Sequence, residues 1–237
     1  MASIGDGIHV DPGAWSFSGE VVDNFDVHVA RSVPFYTHTH RLIEQLSDRF
    51  VTSGSRVYDL GCSTGALTVR LAHRHRKRDI ELVAVDREPR MVAVARDRSA
   101  AYPSVTALEA DLVDLELHPA DLVVAHYTLQ FVMPAARPGV FERIASALDH
   151  RRAFLMFEKV RSSDKRVEAL TAGPYYDWKR SQGYTDAEIA AKARSLEGVL
   201  EAFTPEQNRD LLRTAGFKTV FAVYRWLNWE GLVALVE

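Results

Sequence analysis

The sequence predicts an α/β fold with a mostly parallel, seven-stranded sheet, N-terminal helices and a helical cap, on three observations. From Arg56 onward, short β-branched runs alternate with stretches of helical period, the pattern of a parallel sheet with crossover helices on both faces. The first run, Val57 to Leu60, enters a glycine-bracketed turn, Gly61-Cys62-Ser63-Thr64-Gly65, ahead of a helix from about Ala66. The next two runs end in acids, Asp86 and Asp111, where the strand carboxyl ends of such a sheet meet its crevice.

With 237 residues, 47% hydrophobic and 26% charged, the chain suits one sizeable core and is short for two. One domain is expected, with an N-terminal arm and helices (1–50), a cofactor-binding core (51–160), a helical cap (161–200) and a C-terminal helix with strands (201–237). Gly5 to Ser18, rich in Gly, Asp and Pro, reads as an arm anchored by Trp15 and Phe17. Val22, Phe25, Val29 and Ala30 have helical spacing over 21–31; after Pro34 a second helix, about 35–50, carries Leu42, Ile43 and Leu46. Both precede the first strand and should lie across the mouth of the sheet.

The alternation then gives strand 56–60, helix 65–77, strand 80–85 and helix 88–98, opened by Glu88-Pro89. Strands 105–110 and 121–125 follow with only a short connection between Asp111 and Asp121, then helix 135–149 and strand 153–158. Two polar helices, 164–182 and 186–196, form the cap. Thr204 and Pro205 start a last helix, which runs to Thr214 and is stopped by Gly216. Strands 217–224 and 227–236 close the sheet.

A net charge of −3 argues against a nucleic-acid partner, and the basic run Arg74, Arg76, Lys77 and Arg78 suits a solvated helix end. The only cysteine, Cys62, excludes an intramolecular disulfide and fits a reducing compartment. No apolar run reaches membrane-spanning length, and Met1 to Gly7 lacks a signal peptide's apolar centre, so no membrane partner and a cytoplasmic location are expected. His38 and His40 are two apart and would point to different sides of a helix; no metal site is expected.

Glycines at 61 and 65 let the backbone turn sharply and approach a ligand closely, but their spacing is not the Gly-x-Gly-x-x-Gly of a dinucleotide site. Asp86 is placed to accept both ribose hydroxyls and Asp111 an adenine amine. A sugar and adenine without a phosphate-binding glycine pattern describe S-adenosylmethionine. Through Asp59-x-Gly61-x-x-x-Gly65, Asp86 and Asp111 the chain resembles the class I S-adenosylmethionine-dependent methyltransferases, which implies a Rossmann-like fold.

A narrower resemblance lies in Ala30-Arg31-Ser32-Val33-Pro34-Phe35-Tyr36, Val57-Tyr58-Asp59-Leu60-Gly61-Cys62-Ser63, Thr128-Leu129-Gln130-Phe131, Glu158-Lys159, Lys179-Arg180-x-x-Gly183-Tyr184, Ala193-Arg194-Ser195-Leu196-Glu197 and the ending Gly231-Leu232-Val233-Ala234-Leu235. These are similar to the carboxy-S-adenosylmethionine synthase family over nearly the whole chain. That family forms homodimers and makes carboxy-S-adenosylmethionine from S-adenosylmethionine and prephenate, for a wobble-uridine modification of transfer RNA. The resemblance implies cofactor contacts from Tyr36, Gly61, Cys62, Ser63, Asp86, Arg87, Asp111 and Leu112. It also implies that Arg194 meets the carboxylate of the carboxylated cofactor, in the family from the neighbouring subunit.

His126 departs from the family, which has Asn at this position, next to the cofactor's reactive end. A histidine that titrates near neutrality can remove a proton, pointing to methyl transfer onto a small carboxylate-bearing acid; equally, it can hold the cofactor or backbone by one hydrogen bond. Tyr175, Tyr176, Lys179 and Arg180 of the cap could form a pocket for the anionic substrate. The function expected is methyl transfer to a small carboxylate-bearing metabolite, with synthesis of the carboxylated cofactor from prephenate as the alternative and cofactor binding without catalysis as a second one.

Overall fold

A computed structural model describes residues 1 to 236, apart from the side chains of His150 and Arg151. The arm is not all loop: β1 (Ala2–Ser3) pairs antiparallel with β2 (His9–Val10), and the ribbon buries Ile4 and Ile8. Asp6 fastens it. The Asp6 carboxylate accepts from Arg31 and Tyr184 and faces His28 Nδ1 at 2.9 Å. Gly13 and Trp15 then donate backbone N–H to the carbonyls of Arg194 and Ser195 at 2.9 and 3.1 Å, which lays the arm along the cap.

Helices α1 (Glu20–Ser32) and α2 (Tyr36–Ser47) follow as the apolar spacing predicts. The core alternates β3 (Arg56–Leu60), α3 (Ala66–Arg74), β4 (Glu81–Asp86), α4 (Pro89–Ser99), β5 (Val105–Glu109) and β6 (Ala120–His126). After a single 3₁₀ turn at Leu129–Phe131 come α5 (Arg137–Ala147) and β7 (Leu148–Lys159). β7 starts earlier than predicted because Leu148 already pairs with Ala120, across a bulge that ends where Ala153 meets Leu122. The cap is α6 (Lys165–Ser181) and α7 (Asp186–Ser195), with Thr185 and Glu188 forming a capping box. Then α8 (Pro205–Thr214), capped by Thr204 and Gln207, leads to β8 (Thr219–Trp226) and β9 (Trp229–Leu235).

The seven-stranded sheet runs β5-β4-β3-β6-β7-β9-β8, and β9 is its antiparallel strand. Its two faces alternate residue by residue. Leu60, Val85, Val123, Phe154 and Met156 pack on the side of α5 and α8; Val57, Leu82, Val124, Leu155 and Phe157 pack on the side of α2 and α3. The chain winds outward from β3 through β4 to β5, then returns to β6 on the other side of β3. The crevice outside the carboxyl ends of β3 and β6 is therefore the switch point where a ligand is expected.

Candidate active site

A cavity of about 360 Å³ opens at that switch point. The parallel register brings the ends of β3, β4 and β6 to its floor, with Asp59, Asp86 and His126. Over it close Trp15 and Phe17 of the arm, His28 and Val29 of α1, Tyr36 of α2 and Phe131 of the 3₁₀ turn.

Ser63 donates its N–H to Asp86 Oδ2 and Glu88 to Oδ1, each at 2.9 Å. One amide per oxygen orients the carboxylate and leaves it lone pairs for the two hydroxyls of a ribose. Burial pushes Asp86 up, opposed by these two amides. Asp111 sits at the mouth, its Oδ1 accepting the Val113 N–H at 2.9 Å, with an Arg87 guanidinium nitrogen 3.9 Å from its other oxygen. Asp59 lies beneath, accepting from the Thr68 hydroxyl at 2.6 Å, and burial raises it to about 6. Cys62 is buried and its thiol pushed up by desolvation, which fits a small filler in the turn.

The two glycines act differently from expectation. Gly61 has φ +77, and a Cβ there would stand inside contact distance of Thr128, whose hydroxyl donates to the Leu60 carbonyl at 2.9 Å. Gly61 therefore makes room for the chain leaving β6. Gly65 does not reach the cavity: an added Cβ would press on Ala95 at 3.0 Å, so this glycine allows α4 to pack against the turn. The other expected cofactor residues, Tyr36, Asp59, Gly61, Cys62, Ser63, Asp86, Arg87, Asp111, Leu112 and His126, all line the cavity.

His126 is in place, but the expectation that it titrates near neutrality is corrected. Burial, and then the neighbouring His40, hold it well below the usual histidine range. His40, itself lowered to about 3 by burial, lies with its ring centroid 4.8 Å away, and Tyr36 and Tyr127 close the remaining sides at 4.9 and 4.3 Å. The Thr39 hydroxyl lies 2.8 Å from the Tyr36 carbonyl, to which it can donate, and 2.9 Å from His126 Nε2, so this ring nitrogen is engaged inside the protein. Long-range contacts from α2 fix this state, and no local motif signals it.

Among the expected substrate residues, Tyr175 and Lys179 line the cavity. Tyr176 is 38% exposed and does not; Arg180 points to solvent and pairs with Asp177 and Asp186 at 2.6 and 2.7 Å. Arg194 is exposed too, outside the cavity of its own chain. Sequence reasoning misses two cavity cations. Lys159, at the end of β7, and Lys192, on α7, join Lys179 at the far end, together with Trp229. Glu158-Lys159 is visible as a motif, but nothing local marks either lysine as lining a site.

The comparisons with known proteins agree with this geometry. Residues 57–151 match the model of a family described as a methyltransferase domain. A carboxy-S-adenosyl-L-methionine synthase from a Nitratiruptor species is 36% identical over 93% of this chain and 92% of its own length. Another, from Salmonella paratyphi C, is 34% identical over 94% and 92%. Among solved structures, an O-methyltransferase family protein from Burkholderia thailandensis superposes with a TM-score of 0.67 at 17% identity, over 91% of this chain and 59% of that one. The apo S-adenosylmethionine-dependent methyltransferase SibL gives 0.61 at 19%, over 85% of this chain and 55% of its own length. This chain thus spans little more than half the length of these structures, and the likeness to them is one of fold. Among the described residues no helix is long and apolar enough to cross a membrane.

Proposed function

We propose, because this chain belongs to the carboxy-S-adenosyl-L-methionine synthase family of enzymes with the class I S-adenosylmethionine-dependent methyltransferase fold, that it places a carboxyl group on S-adenosylmethionine. The observation that carries this reading over methyl transfer is the state of His126. A base for an O–H, N–H or acidic C–H acceptor should have a pKa near the working pH. A ring held neutral well below that range by burial, with Nε2 engaged by the Thr39 hydroxyl, does not meet the requirement. What remains is the hydrogen-bonding role that the family's asparagine fits.

S-adenosylmethionine supplies the sulfonium-activated methyl carbon that receives the carboxyl group. With prephenate as donor the reaction balances without a protein base: the donor loses its carboxyl group and ring hydroxide to become phenylpyruvate, and the hydroxide leaves as water with the methyl proton. The chain's work is then positional. Asp86 and Asp111 hold the nucleoside, the arm's Trp15 and Phe17 exclude water, and cationic groups at the far end hold the donor.

Incubation with S-adenosylmethionine and prephenate, read by mass, is expected to yield the carboxylated cofactor. In His126→Asn the amide can pair with the Thr39 hydroxyl as donor or as acceptor, so the rate should stay within about tenfold of the parent and cofactor affinity should hold. Methylation of a small acid by the parent, falling about 10²–10⁴-fold in the variant, would instead establish His126 as a base and methyl transfer as the reaction. A homodimer in which Arg194 reaches the neighbouring subunit's cofactor belongs to the same reading; its exposure in the single chain leaves it available for that role.

A further inference from the structure

The far end of the cavity carries more positive charge than the nucleoside site needs. Lys159 comes from β7, Lys179 from α6 and Lys192 from α7, three elements that the cap folds together. Lys179 and Lys192 are 5% and 7% exposed, yet among the described residues none of the three ammonium groups has a hydrogen-bond or ion-pair partner. Glu168, which lines a chamber beside Lys159 and Lys179, and Asp6 act on these two lysines through charge without a hydrogen bond or ion pair, and Lys192 Nζ stands over the Trp15 ring. Unpaired buried ammonium groups are costly, and these also repel one another: burial first, then the other lysines, lowers both Lys179 and Lys192. A fold that keeps such a group without a counter-charge is arranged for an anion that arrives from outside.

A second observation points the same way. Trp229 is 3% exposed, lines this end, and its Nε1–H has no partner. It stands directly opposite Lys159 in the antiparallel ladder of β7 and β9, so the two side chains leave the same face of the sheet. An indole N–H can only donate. Lys159 and Lys179 each hold their Nζ 5.6 Å from the centroid of the Tyr175 ring, the aromatic wall of the same corner. Behind them lies a side chamber of about 100 Å³, lined by both lysines, Tyr175, Tyr176, Asn228, whose buried Oδ1 also lacks a partner, and Glu168, whose carboxylate accepts the Ser162 N–H.

We infer that Lys159, Lys179 and Lys192, with the Trp229 N–H, form the subsite that holds a small polycarboxylate donor against the cofactor. This rests on the carboxyl-transfer reading above and assigns its donor-binding residues. Ammonium groups clustered out of bulk water are compensated better by a donor with at least two carboxylates than by one with a single carboxylate. The subsite lies within one chain and is separate from Arg194.

The test uses the complex with S-adenosylhomocysteine, which has no methyl group to react, so that binding is read without turnover. Calorimetric titration of that complex with prephenate should show binding by the parent, weakened at least about tenfold in Lys179→Met and in Lys192→Met and further in the double variant, with partial recovery in Lys179→Arg. S-adenosylhomocysteine affinity should stay within about twofold of the parent. Methionine removes an uncompensated buried charge at similar length, so melting temperatures should hold or rise; Lys→Gln variants provide a second set. Prephenate affinity that does not depend on the lysines, or no prephenate binding by the parent, would overturn the inference. So would a loss of S-adenosylhomocysteine affinity with donor affinity unchanged, since that places the lysines on the cofactor's own carboxylate. Lysine-dependent binding without carboxylated product would sink the proposed reaction and leave the subsite standing.

Donor affinity should also depend on pH. The groups facing Lys179 are Lys159 of β7, Lys192 of α7, Tyr175, Tyr176 and Glu168 of its own helix, Tyr184 before α7, His28 of α1 and Asp6 of the arm. Burial first, then Lys159, lowers Lys179 to about 8, so the charge is present below that pH and lost above it. Prephenate affinity should therefore fall as pH rises through about 8 in the parent, and this step should be absent in Lys179→Met.

Discussion

Asp86→Ala is expected to lower S-adenosylhomocysteine affinity by about ten- to 150-fold, corresponding to roughly 1.5–3 kcal/mol for hydrogen bonds to a charged group. The carboxylate has two functions that the variant removes together. It would accept the ribose hydroxyls, and it holds the amides of Ser63 and Glu88, so its loss also loosens the turn that lines the nucleoside site. Asp86→Asn separates these, since its remaining oxygen can accept one amide while the NH₂ group opposes the other. Calorimetry should rank the parent above Asn and Asn above Ala. An unchanged affinity in Asp86→Ala would remove the nucleoside assignment, because the other strand-end acids are not similarly prepared: Asp59 is engaged with Thr68 and Asp111 lies at the mouth.

Gly61→Ala should destabilise the protein by about 2–5 kcal/mol, combining the cost of a side chain at positive φ with the overpacking against Thr128. Because Thr128 binds the Leu60 carbonyl, the strain is delivered at the junction of β3 and β6, at the floor of the cavity. Thermal or urea unfolding reads the loss. Thr128→Ala in the same chain removes the methyl and hydroxyl that the new Cβ would meet, so the double variant should be less destabilised than the two single changes add up to. Simple additivity would show that the backbone angle alone demands glycine. Gly65→Ala makes the milder clash with Ala95 and should leave the Thr128 coupling absent.

The half of the cavity lined by the strand-end acids was legible because it depends on local pattern. Where β-branched runs end and an acid follows, the acid lies at a strand's carboxyl end, and parallel pairing then brings Asp59 and Asp86 to one edge while Asp111 follows β5. Capping chemistry at Thr204 and apolar spacing in α1 and α2 place their helices nearly to the residue. The cap is readable as two helices, but not which of its charges face inward. Arg180 shares α6 with Tyr175 and Lys179 yet points outward, Tyr176 reaches only the side chamber, and a composition rich in both aromatic and basic residues does not say which.

By itself the sequence determined the order of the elements, the switch point at the end of β3 and the acids that serve it, since each follows from periodicity and neighbours a few residues apart. Only the tertiary structure decided the electrostatics. Whether His126 can exchange a proton depends on Thr39 and His40, more than eighty positions away, and whether three lysines on three elements meet depends on how the cap closes over β7 and β9. The physical reason is that charge state and partner choice follow from exclusion of water, and the groups that exclude it here are brought together by packing between distant segments.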